Sequence, residues 1–166
     1  MKPNASHPYY SLPWLQRMAV HVPGYQDSLD RGDRRLADRS LRMAVVDRLR
    51  DMHKRLDEAI RQCERREAST QQHSLERVVA HLDRVLERIQ ASDHRIESAY
   101  EDGQVGPAKA DFLQKAHLAV FEQAEAMVKH FEEPDLHHDR LPHVESDLFE
   151  LERRLDEEAR KYREIA

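Results

Sequence analysis

Glycine, cysteine and aromatic residues are scarce in this sequence. Four glycines, one cysteine and 6% aromatics are spread over 166 residues. The lone Cys63 excludes an intrachain disulfide. With no signal-peptide pattern at the start, it sets the expectation of a reducing, cytoplasmic setting. No apolar run approaches the roughly 20 residues that cross a bilayer. Neither a glycine-rich phosphate loop nor a nucleophile elbow occurs. No Glu-x-x-His falls within a helical segment, so the ligand pattern of a di-iron bundle is missing. The expectation is a protein without enzymatic activity and without a cofactor.

What is present is charge and periodicity. Charged residues make up 36% of the chain. Abundant Leu, Ala, Glu and Arg lose little rotamer freedom in a helix, so long helices are favoured. Leu75, Val79, Leu82, Leu86, Ile89, Ile96 and Tyr100 recur at steps that keep one seam of a helix facing a partner. A first long helix, starting past Gly32 with Asp33 as cap and running to about Glu67, carries Leu41, Val45, Leu49, Met52, Leu56, Ile60 and Cys63. The polar run 68–73 breaks the register, and a connection is expected there, with Ser69 or Ser74 capping a helix that runs to about Glu101. The Gly103–Pro107 segment is the strongest stop signal. A third helix then presents the widest stripe, from Leu113 to Phe131. A fourth, from near Pro142, follows Val144, Leu148, Leu151, Leu155, Tyr162 and Ile165.

Short connections make successive helices antiparallel. The expected fold is therefore all-α: an antiparallel four-helix bundle of long helices over 27–166. Residues 1–26 form a tail and a short amphipathic helix of about 12–22, closed by a Val22–Tyr25 turn. The first long helix is expected to outreach the others by about ten residues, an overhang of about 15 Å.

Charge is unevenly spread. Residues 1–68 carry a balance of +4 and residues 69–166 a balance of −9. Around Arg31, Arg34, Arg35, Arg39 and Arg42, four aspartates nearly cancel the positive charge, so no nucleic-acid partner is expected. Candidate partner contacts are Trp14, Arg35, Arg39 and Arg42. A peripheral membrane or nucleic-acid surface over residues 12–50 is the alternative use of this region.

Two groups of residues depart from plain helix chemistry. Asp93 falls on the second seam, and His117 on the third stripe, at the same distance from the Gly103–Pro107 turn. A partly buried Asp93–His117 pair fixing helix register is the expectation. His130, His137, His138 and His143 crowd the third connection, and His73 should lie at the same end. Imidazole and carboxylate suit zinc, nickel or copper, although this spacing matches no defined site. The functional expectation is a helical interaction or scaffold protein that associates with itself or a protein partner. The alternative is a metal- or proton-responsive sensor or enzyme using Asp93 and His117, or the histidines at 130–143.

Overall fold

The spacing of apolar residues is realised as five helices, and no strand occurs among the described residues. The structure is a computed structural model that describes residues 22, 24–30, 33–101, 103, 107–131 and 140–165. Within its helices, the side chains of a few residues, Asp93 and His130 among them, lie outside that description. The elements are α1 (Tyr25–Asp30), α2 (Arg34–Arg65), α3 (Ser69–Glu101), α4 (Pro107–Phe131) and α5 (Leu141–Ile165). The expected helix at 12–22 lies outside the described residues. Its closing turn is in place: the Tyr25 amide donates to the Val22 carbonyl at 3.2 Å. Gly24 there takes φ 78°, a conformation that L side chains disfavour. Val22 and Tyr25 are both buried in the core that α1 shares with α2.

Asp33 caps α2 as its position predicts: its carboxylate accepts from the Leu36 amide at 3.0 Å. The break after α2 is tighter than the polar run suggested. The Glu67 amide donates to the Glu64 carbonyl at 3.2 Å, and the Ala68 amide reaches back to the Cys63 carbonyl at 3.0 Å. This double closure satisfies carbonyls orphaned at the helix end. It places Glu67 at φ 55°, the left-handed position usually given to glycine. Residues 69–73, expected as a connection, therefore belong to α3. A continuous rod through this region is excluded.

Cross-helix pairs give the register. Arg35 meets Glu101 and His53 meets Asp83, so partner numbers fall along α3 as they rise along α2. They rise together along α3 and α5 (Arg77–Glu145, Arg88–Asp156, Tyr162 to the Arg95 carbonyl). The same holds for α2 and α4, where Asp38 meets His117 and Arg48 meets Glu125. Thus α2 borders α3 and α4, while α5 borders the same two helices from the opposite corner. The consecutive helices α3 and α4 sit on a diagonal instead of forming a packed hairpin. The extra length expected of α2 alone is shared, since α2 and α3 have 32 and 33 residues against 25 in each of α4 and α5.

The seam of α3 is rotated from its expected place. Leu75, Val78, Leu82, Val85, Ile89, Ser92, Ile96 and Ala99 are buried, whereas Val79 and Leu86 are only partly so. Both readings share Leu75, Leu82, Ile89 and Ile96. At 3.6 residues per turn, residues three and four further on straddle the seam. Packing against α2 and α5 at once selects the three-step members. Ser92 holds a polar place on this seam.

Candidate functional site

Each of the four long helices contributes a polar side chain to one buried layer. α2 supplies Asp38 and, one turn on, Arg42; α3 supplies Ser92, α4 His117 and α5 Glu158. Asp38 is 0% exposed, His117 1% and Glu158 2%. The imidazole lies between two carboxylates. Its Nδ1 is 3.3 Å from Asp38 Oδ1, and its Nε2 is 2.7 Å from Glu158 Oε1. Ser92 Oγ donates to the other oxygen of Glu158 at 3.4 Å. The carboxylates flank the ring off the direction of its N–H bonds, so charge attraction holds the trio more than linear hydrogen bonding does.

Burial alone would push the His117 pKa down. The nearby charges of Glu158 and then Asp38 outweigh it, and the pKa is raised from 6.5 to about 9. The ring is therefore a cation throughout the neutral range. Two cations, His117 and Arg42, balance two anions, Asp38 and Glu158. A cavity of about 10 Å³ bordered by Arg42, Ser92, His117 and Glu158 has room for one water at most.

The expected Asp93–His117 pair lies outside the described residues, because the side chain of Asp93 does. His117 is buried and paired, and its recorded partners are Asp38 and Glu158. α4 faces α2 and α5 directly, so those helices supply the recorded partners. Ser92, next to Asp93, reaches the layer of His117.

Of the expected partner contacts, Trp14 lies outside the described residues. Arg35 pairs with Glu101 at 2.9 Å, and Arg39 is exposed. Arg42 is buried, 6% exposed, so it belongs to the interior layer and not to a contact surface. Of the expected metal cluster, His130, His137 and His138 lie outside the described side chains. His143 is exposed, and His73 Nδ1 lies 2.7 Å from its own helix's Ser69 carbonyl. Among the described residues no group of three or more His, Cys, Asp or Glu is arranged to hold a metal.

Three positions of the layer, Ser92, Glu158 and Asp38, escaped the reading of the sequence, and the last two carried a signal. The stripe of α5 leaps seven residues from Leu155 to Tyr162, and Glu158 occupies the skipped step. Asp38 stands three before Leu41, on the backward extension of the α2 seam. A second polar contact, away from the layer, was also unforeseen. His81, 4% exposed, places Nε2 3.1 Å from Glu152 on α5, with the edge of the Phe149 ring against it.

No family profile, curated protein or solved structure matches the chain.

Proposed function

We propose that this chain is a non-enzymatic helical scaffold, an up-and-down bundle of antiparallel neighbours in sequence, whose outer helix faces associate with other helices. The observation that carries this reading is the near-complete burial of the charged layer of Asp38, His117 and Glu158. A histidine flanked by two carboxylates is a common arrangement for proton transfer. Here it has space for one water at most, and its charge is fixed well above neutral pH. Those properties suit a clasp that fixes helix register and suit neither a proton relay nor a sensor of physiological pH. No helix among the described residues is long and apolar enough to cross a membrane. What is left for function is the exterior, where Leu36 and Met43 on α2 and Phe149 on α5 stand 40%, 55% and 62% exposed.

Sedimentation of the full chain over a wide concentration range tests this reading. Association that rises with concentration supports it. A monomer at every concentration, with binding of neither itself nor any helical peptide, overturns it.

A further inference from the structure

The first half of α2 carries exposed charges beside exposed apolar side chains. Several exposed charges are answered within the molecule: Lys54 by Asp51, Arg61 and Arg65 by Glu58, and Arg153 and Arg154 by Glu150. Arg39, Asp47 and Arg50 make no ion pair or hydrogen bond among the described residues, although all three are exposed. They border a cleft of about 230 Å³ beside Met43 and Val46. Leu36, Met43 and Arg50 follow each other at steps of seven, with Arg39 and Val46 between them, so they make one stripe about 21 Å long. Ile89 and Gln90 of α3 flank this second seam at the cleft, and Leu36 and Met43 on it stay 40% and 55% exposed.

Resting on the helix-association reading, we infer that this stripe is a dimer interface and that its occupant is the α2 stripe of a second copy, antiparallel about a two-fold axis at Met43. The spacing of charges carries the inference. Arg39 and Asp47 stand four residues either side of Met43. They are about 12 Å apart along one helix, too far to pair with each other. Turning a second helix end for end about Met43 sets Arg39 of each copy level with Asp47 of the other. The exchange forms two equivalent ion pairs from one complementary pattern. The same operation sets Leu36 level with Arg50, whose aliphatic stem can cover it while the guanidinium stays in water. The two Met43 side chains meet on the axis. An unrelated acidic helix would answer the two arginines but would leave Asp47 facing like charge.

The test is sedimentation velocity of the full chain from about 1 μM to about 200 μM, with folding of each variant checked by circular dichroism. The wild-type mass should climb toward twice the monomer. Arg39→Glu places acid opposite Asp47 at both symmetric sites and should weaken dimerisation at least about tenfold, as should Asp47→Arg. The double variant Arg39→Glu/Asp47→Arg reverses both charges and should return the dissociation constant to within about threefold of wild type. On a Cys63→Ala background, Met43→Cys should give a disulfide-linked dimer under mild oxidation, and Arg84→Cys on α3 should not. If folded Arg39→Glu dimerises as the wild type does, or the charge swap fails to restore what the single changes lost, this interface is wrong. Association through another face would then still stand. A monomer that also fails to bind any helical peptide removes both readings.

Discussion

Two cross-sections of this molecule, three turns apart, are held by opposite physics. One contains Leu49, Leu82, Met127 and Leu148, all 0% exposed. The other contains Asp38, Ser92, His117 and Glu158. Along each helix the two are separated by about ten residues, or about 15 Å. The apolar layer stabilises by area removed from water, without direction, so it accepts several helix arrangements nearly equally. The ionic layer contributes little net stability, because desolvating four charges offsets most of their attraction. Its effect is on alternatives. Sliding any helix by one heptad carries a carboxylate or the imidazolium away from its partners into hydrocarbon, at a cost of several kcal/mol. In a bundle where sequential helices α3 and α4 lie on a diagonal, such a device selects which helices become neighbours.

Removing one member of each layer separates the two kinds of stabilisation, and the ionic layer should give the larger effect. His117→Leu leaves Asp38 and Glu158 with Arg42 as the remaining cation of the layer. It should cost about 4 kcal/mol in chemical denaturation. His117→Leu/Glu158→Leu deletes one cation and one anion together, leaving Asp38 and Arg42 one turn apart. It should recover about half of that loss, although it changes more atoms. Leu82→Ala in the apolar layer should cost about 3 kcal/mol through lost burial and a cavity. No second change elsewhere in the apolar layer should restore it. If the double variant in the ionic layer is as unstable as the sum of its single changes, the two cross-sections do not differ in the way argued here.

The pH dependence sharpens the same contrast. The folded-state pKa of His117 is raised to about 9 from 6.5. Its ionic contribution is therefore complete below about pH 6.5 and is lost as pH rises through about 9. The groups facing it are Asp38 from α2 and Glu158 from α5, with Arg42 and Ser92 bordering the same cavity. Stability of the wild type should fall across that window by about 3 kcal/mol. His117→Gln should flatten the slope, while Leu82→Ala should lower the whole curve and keep the slope. A wild-type curve without a decline in this window would mean that the imidazole is not held as a cation.

Much of this contrast was readable before any coordinates, and its unread part has a physical cause. Seams at steps of three and four located every long helix, since a stripe must persist over many turns to bury one face. The Asp33 cap and the Gly103–Pro107 stop follow from local backbone chemistry. His117 was legible as a polar residue inside a wide apolar stripe. Glu158 and Asp38 were harder, because a charged residue on a charged helix is conspicuous only as a skipped step in its seam. Which residue fills a seam place, Val78 or Val79, Val85 or Leu86, depends on which two helices flank α3. That is a property of the assembled bundle and of no single segment.

The smallest expected effect lies at the tip of the α2–α3 hairpin, remote from the ionic layer. Glu67 occupies φ 55°, where a Cβ atom crowds the following carbonyl. Its acidic side chain also sits at a helix C-terminus, where the macrodipole disfavours negative charge. Glu67→Gly relieves both, against a larger entropy of the unfolded chain. A net gain of about 1 kcal/mol should follow, raising Tm by about 3 °C. Glu67→Ala removes the charge but keeps the backbone conflict, so it should recover only about 0.3 kcal/mol. The gain from glycine should be the same at pH 6 and pH 9, because no titrating group of the ionic layer is touched. A gain that vanishes at high pH would instead couple the hairpin tip to His117 and erase the separation between the two cross-sections.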